Sequence, residues 1–412
     1  MKAQILTIGD ELLIGQVVNT NAAYIAQKLN GIGIEVVRTL TVGDVEEEIM
    51  TAFRESFAGF DLTVITGGLG PTHDDITRKC ICEFFNTGLV RDETVFENIK
   101  RIFEMRSIQM NPATEDQAMV PQSAQIIMNL LGTAPGFLFE KEHKYFIVMP
   151  GVPFEMEGMM TNFVIPYFRN MSRQVILHRT LKTTGIPESL LAKRLGDIDE
   201  LLQGAKLAFL PSPSGVRLRI TVIDTDPEAA QQKVNDIEAR IRVKAEKFIY
   251  GTDTEELEEV VGKILTDRRL TLALAESCTG GLIANRLTNI PGSSYYFERG
   301  FIMYSNQSKT DILGIHPDII ESYGAVSREI AMAMASGVRE IAKVDIGLSV
   351  TGIAGPSGGT PEKPVGTVWI GYSDEKETFA LKFNFGEHRL RTKERASQAA
   401  LDLLRRKLLQ IE

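Results

Sequence analysis

The chain is poor in the residues that build crosslinks and metal cages. Cys80, Cys82 and Cys278 are its only cysteines, too few for a disulfide framework and spaced unlike any common zinc site. Free thiols fit a reducing compartment, so a cytoplasmic location is expected. Histidine is scarce too, with five in 412 residues. Two of them, His316 and His388, fall in the last third of the chain, and neither sits in a motif. Excess positive charge is missing: the net charge is −9 and the pI about 5.4. That argues against a general nucleic-acid binder but leaves room for one local phosphate site. Long apolar runs are absent as well. The first, from Ala3 to Ile8, is broken by Gly9-Asp10-Glu11, too short and too acidic for a signal peptide or a membrane span. No membrane association and no direct nucleic-acid contact are expected.

What is present is a repeated alternation of apolar runs and helical spacing. Ala3–Ile8, Glu35–Leu40 and Leu62–Thr66 read as strands, with helices at Thr20–Leu29 and Val45–Phe57, the second opened by Asp44 as N-cap. This βαβαβ order predicts a doubly wound, mostly parallel sheet. Ligands bind such sheets at the carboxyl ends of the strands. There the sequence places Asp10-Glu11, the glycine-rich loop Gly67-Gly68-Leu69-Gly70, and Asp74-Asp75. Glycines let backbone approach a ligand, and paired carboxylates offer hard oxygens to a divalent cation that could bridge a diphosphate. Met149-Pro150-Gly151-Val152-Pro153 is a second rigid loop, followed by Glu155 at a helix start.

From 171 to 251 the order becomes βαββαβ, which predicts a small α+β, ferredoxin-like module with no catalytic cluster, a spacer or dimerisation unit. The remainder, 252–412, is again α/β, with the last helix basic on one face read as solvated surface. It holds the densest chemistry. Leu270–Ala275 reads as a buried strand running into Glu276-Ser277-Cys278-Thr279-Gly280-Gly281, and a helix starts at Leu282. Strand, small polar turn and helix can aim backbone N–H groups at an anion. Ser293-Ser294, Tyr304 and Lys309 follow, and a third glycine-rich loop starts at Thr351-Gly352. Without a motif histidine, a Ser-His-Asp triad is disfavoured. A serine beside a lysine of lowered pKa fits better. Cys278 is the competing nucleophile, although a small buried cysteine is the usual case.

The ordered set TIGDELLIG, GGLGPTHDD, MPGVPFEM, AESCTGG, GSSYYFERGFIMYSNQSK, VTGIAGPSGG and KPVGTVW resembles the CinA (competence/damage-inducible protein A) family over nearly the whole chain. The resemblance implies three parts: a molybdopterin-binding-like domain over 1–170, a linker or dimerisation module over 171–251, and a nicotinamide-nucleotide amidohydrolase domain over 252–412. It implies deamidation of nicotinamide mononucleotide without a cofactor, with Ser294 as nucleophile and Lys309 and Tyr304 assisting. Ser277, Thr279, Gly280, Thr351, Gly352 and Arg389 would hold that substrate. For the first domain it implies hydrolysis of ADP-ribose with Mg, Mn or Co. Asp10, Asp74 and Asp75 would hold the metal, and Gly67, Gly68, Gly70, Thr72 and Glu155 the nucleotide. Leu69 stands where molybdopterin-handling relatives carry threonine, which favours the CinA branch. A homodimer is also implied. Two other readings are a non-catalytic nucleotide- or pterin-binding first domain, and a competence adaptor without enzymatic activity.

Overall fold

A computed structural model describes residues 1–70, 76–107, 109–110, 112–169, 171 and 174–411. The expected Thr72, Asp74 and Asp75 lie outside the described residues. The chain divides into two compact units, 1–177 with 222–232, and 178–221 with 233–412.

The first unit is built on a sheet of six strands: β1 (Lys2–Ile8), β2 (Glu35–Val42), β3 (Leu62–Thr66), β6 (Gln125–Ile127), β7 (Gly136–Lys141) and β8 (Lys144–Met149). A separate ribbon pairs β4 (Leu89–Arg91) with β5 (Met119–Pro121). The six lie in the order β2-β1-β3-β8-β7-β6. The first four are parallel, and β7 and β6 add an antiparallel edge. Both faces are covered, which is why the strands read as unbroken apolar runs. Leu6, Ile8, Ile65, Phe137, Phe139 and Phe146 pack on one side with Ile49 and Phe53. Ala3, Ile5, Val64, Ile147 and Met149 pack on the other with Ile25, Leu29, Met156 and Phe168. Thr7 is level with Thr66, and Thr66 with Met149, so three strands end together.

The second unit contains two sheets. β9 (Val175–Thr183), β10 (Lys206–Ser212), β11 (Gly215–Asp224) and β12 (Ile249–Thr252) stand in the order β10-β11-β9-β12, the ferredoxin-like arrangement expected from the sequence. The other sheet is ordered β14-β13-β15-β16-β17, made of β13 (Leu272–Glu276), β14 (Phe297–Ile302), β15 (Ile346–Gly352), β16 (Thr367–Ser373) and β17 (Thr378–Asn384). β13 runs parallel to β14 and β15 at its core. Leu272, Leu274, Leu348 and Ile370 face the helix Leu257–Arg268 and the C-terminal helix Arg389–Leu409. Ala273, Ala275 and Met303 face the helix Arg328–Ala342.

Several local expectations change. Val45, not Asp44, stands at the N-cap of the helix Glu46–Gly59, because Asp44 turns its carboxylate to the Asp10 amide at 3.1 Å. β14 escapes a sequence reading because Glu298, Arg299 and Gly300 break its apolar run. The basic face of the last helix is not all solvated surface. Arg405 is 2% exposed, held by Asp402 at 2.8 Å and by the carbonyls of Ile249 and Lys247 at 3.2 and 2.9 Å. No helix among the described residues is long and apolar enough to cross a membrane.

Candidate functional site

In the first unit the level ends of β1, β3 and β8 open onto a cavity of about 450 Å³. Gly9, Glu11, Asp44, Gly67, Gly68, Gly70, Gly151 and Glu155 line it, so the glycine-rich loop, the proline loop and Glu155 meet there. Gly67 needs its missing side chain: φ is 115°, and a Cβ would overlap the Ile8 carbonyl oxygen. Asn21 fastens the proline loop, donating to the Gly151 carbonyl at 2.7 Å. Asp10 stands just behind the lining, accepting from the Asp44 amide at 3.2 Å. Glycines also make room for acids. A Cβ on Gly43 would lie 2.6 Å from Asp10 Oδ1, and one on Gly132 would overlap the Glu155 carboxylate. Buried Asn129 orients Glu155, donating to its Oε2 at 2.7 Å, while Asn129 Oδ1 accepts from the Gly132 amide at 2.9 Å. Burial raises the Glu155 pKa above the ordinary carboxylate value, against the pull of Asn129 and Arg106. Asp10 and Asp44 each accept from the other's amide, and among the described residues no group of three His, Cys, Asp or Glu side chains is placed to hold a metal ion. Asn129 and Gly132 were not legible as site residues, since their role is to place Glu155.

In the second unit β13, β14 and β15 also end together, with Glu276 level with Ile302 and Val350. Ser277 therefore lies next to the turn that follows β14. Lys309, on the helix Asn306–Leu313, points back into that corner. Its Nζ comes within 3.5 Å of Ser277 Oγ, 3.0 Å of the Met303 carbonyl and 3.4 Å of the Ser305 carbonyl. The side chain is 1% exposed and forms no ion pair among the described residues. Burial lowers its pKa below the usual lysine value, only partly offset by Cys278 nearby. A lysine so placed holds its proton weakly and has a hydroxyl in reach.

The same geometry separates Ser294 from Lys309. Ser294 sits on the exposed turn Ser293–Tyr295 before β14, where Leu272 at the start of β13 is level with Phe297. Lys309 lies beyond the opposite end of β14. Six residues of strand put about 20 Å between those ends. The expected Ser294–Lys309 pair is not assembled within one chain, and Ser277 is the hydroxyl that meets the lysine.

The expected anion cradle at the Glu276–Gly281 turn is also filled from within. Glu276, 2% exposed, accepts from the amides of Gly281, Ile283 and Ala284 at 3.0, 3.2 and 2.8 Å. The Gly280 amide donates to the Ser277 carbonyl at 3.1 Å. Positive charge comes instead from the C-terminal helix. Arg389 donates to the Gly355 carbonyl and to Tyr304 Oη, each at 2.8 Å, joining three elements beside the turn. Lys393, one turn later, would lie 3.4 Å from a Cβ on Gly280. It was missed, although its i,i+4 spacing from Arg389 was visible. Thr351 spends its hydroxyl proton on the Ala325 carbonyl at 2.8 Å, beside Gly352 at the end of β15. Thr279 is fully buried with an unpartnered Oγ1 among the described residues. Burial pushes the Cys278 thiol up to about 12, so it stays protonated and unreactive at neutral pH.

Family models match consecutive stretches of the chain: a probable molybdopterin binding domain over residues 4–170, the damage-inducible protein CinA KH domain over 178–251 and the CinA C-terminal domain over 254–408. A putative competence-damage inducible protein of Caldicellulosiruptor saccharolyticus is 42% identical, covering 99% of this chain and all of that protein. The chain belongs to the CinA family. A CinA-like protein of Chloroherpeton thalassium is 45% identical over 98% of the chain and 99% of its own length. Among CinA structures, the competence/damage inducible protein CihA of Agrobacterium tumefaciens covers 37% of this chain and 94% of its own, at 38% identity and a TM-score of 0.36. In this CinA chain the KH-like stretch has glycines at 185, 196, 204, 215 and 251, none spaced as the GXXG loop by which KH modules clamp nucleotides.

Proposed function

We propose that this CinA protein is a bifunctional hydrolase of pyridine-nucleotide salvage. Its C-terminal domain deamidates nicotinamide mononucleotide, and its first domain cleaves ADP-ribose to AMP and ribose 5-phosphate. Buried Lys309 beside Ser277, without an ion pair among the described residues, carries the amidase reading. Neutral Lys309 takes the Ser277 hydroxyl proton as Oγ attacks the carboxamide carbon. The proton passes to the departing nitrogen as the C–N bond breaks, releasing ammonia. Water then hydrolyses the acyl-serine ester, giving nicotinate mononucleotide and restoring Ser277. Arg389 and Lys393 face the substrate phosphate. Tyr304, hydrogen-bonded to Arg389, fixes that arginine.

In the first domain Asp10, Asp74 and Asp75 would hold a divalent cation, which would supply charge neutralisation to a diphosphate. Gly67, Gly68 and Gly70 let the phosphates approach backbone. Glu155, oriented by Asn129, serves as an acid or base of raised pKa.

Ammonia release from nicotinamide mononucleotide by the pure protein tests the first activity. Loss in Ser277→Ala with retention in Ser294→Ala supports the Ser277 assignment, and the reverse result overturns it. AMP formation from ADP-ribose with Mg²⁺, Mn²⁺ or Co²⁺ tests the second. Its absence in active wild-type protein would leave the first domain a binding module.

A further inference from the structure

The middle module has a positive balance inside an acidic chain. Residues 178–251 hold twelve Lys and Arg against ten Asp and Glu, while the whole chain stands at −9. Four of those cations fall close together. Lys193 and Arg194 occupy the last turn of the helix Glu188–Leu195, Lys244 the last turn of the helix Pro227–Ala245, and Lys247 follows it. Cations at helix ends often serve the helix dipole. Lys244 does so, because its Nζ donates to the Leu195 carbonyl. Lys193 and Lys247 do not. Both are exposed, and neither ammonium group has an acceptor or an ion-pair partner among the described residues.

Beside these cations runs a groove of about 480 Å³. Ile186, Pro187, Leu190 and Phe248 give it an apolar floor, Lys193 and Arg194 stand on its rim, and no carboxylate lines it. Leu190 is 56% exposed, and the Phe248 ring is partly open to solvent. Arg194 and Lys247 lie 5.7 and 5.5 Å from the centre of that ring, so charge and apolar surface share one spot. Arg194 is fixed there, since its Nε donates to the Lys244 carbonyl. Like charges without a counter-ion repel one another, and exposed apolar side chains favour leaving water. A ligand that is both anionic and flat relieves both costs.

We propose that this groove binds single-stranded nucleic acid. Phosphates pair with Lys193, Arg194 and Lys247, and an unstacked base packs on Leu190 and Phe248. A duplex keeps its bases in the stack and offers only its phosphates, so it binds less well. The acidic chain as a whole is no general nucleic-acid binder, and one local groove is what its charge leaves room for. The contact is not a GXXG clamp. It gives the middle module a role beyond spacing, and it depends on neither hydrolytic activity.

The probe is a fluorescein-labelled oligothymidylate of about 12 nucleotides, titrated with the full chain at about 50 mM salt and followed by anisotropy. The expected result is saturable binding whose log affinity falls with log salt at a slope of about −2, for about three neutralised phosphates. Lys193→Ala combined with Lys247→Ala removes two of the three charges, weakens binding at least about tenfold and flattens the slope to about −0.7. Lys100→Ala combined with Lys376→Ala removes as many charges elsewhere on the surface and binds like wild type. Phe248→Leu keeps an apolar side chain, loses the ring and weakens binding about fivefold or more with the slope unchanged. Circular dichroism confirms that each variant is folded. Wild-type protein that does not bind the oligonucleotide, a groove variant that binds as well as wild type, or tighter binding of a duplex of the same length overturns the proposal.

Discussion

The two candidate hydrolytic centres share an architecture and differ in charge. Each lies where three neighbouring strands of a parallel core end level with one another. In the first unit the ends carry carboxylates, seated in spaces that Gly43 and Gly132 leave open. In the second the only carboxylate on the turn, Glu276, is buried and spent on helix amides, and the proposed reactive group is a lysine stripped of water. The difference teaches that strand ends supply position and burial supplies reactivity. An acid left near water can hold a cation. A lysine taken out of water becomes a base.

The contrast breaks first at the lysine. Lys309→Met keeps the length of a buried side chain and removes the base. Ammonia release should fall by about 10³-fold or more, with ADP-ribose cleavage unchanged. Ser277→Ala should fall as far, and the double variant little further, because the two act as one unit. Gly132→Ala works in the other unit. A methyl group there displaces Glu155, so AMP formation from ADP-ribose should drop about tenfold or more while ammonia release persists, at a stability cost of roughly 1–3 kcal/mol. Glu276→Gln retains one acceptor in place of a carboxylate that takes three amides. The cost is about 1–3 kcal/mol, read as a lower Tm of the second unit.

Acidity sharpens the same contrast. The folded pKa of Lys309 lies below its ordinary 10.5, so the unfolded chain binds more protons between those two values. Stability therefore rises with pH across that window, and the penalty of burying the charge is full below it. Deamidation should rise with pH through the folded value, as the neutral amine appears. A flat rate over that range would remove Lys309 as base. The smallest effect belongs to Cys278→Ser, which should leave ammonia release within about threefold of wild type, because the thiol is already protonated and idle.

Much of the fold was legible because local chemistry repeats along the chain. Apart from β14, the strands of both parallel cores read as short apolar runs, and the βαββαβ order of the middle module predicted its ferredoxin-like arrangement. Residues between 85 and 136 were harder, since their strands span three residues each and carry no period. For the sites, Gly67, Gly68, Gly70 and Glu155 announced themselves on loops after strands and did converge. Ser277 and Lys309 were both visible, but their meeting was not.

What the sequence determined by itself is the set of turns: small residues, glycines and acids placed where strands stop. Steric freedom and solvation at those positions are local properties, and local properties are written in order. Which groups face one another was decided only by the tertiary structure. Register set Ser294 and Lys309 at opposite ends of β14 and brought Ser277 to the lysine, though Ser277 is 32 residues away along the chain. Burial then lowered the Lys309 pKa and raised those of Cys278 and Glu155. Dielectric environment depends on everything packed around a group, and no stretch of sequence contains that.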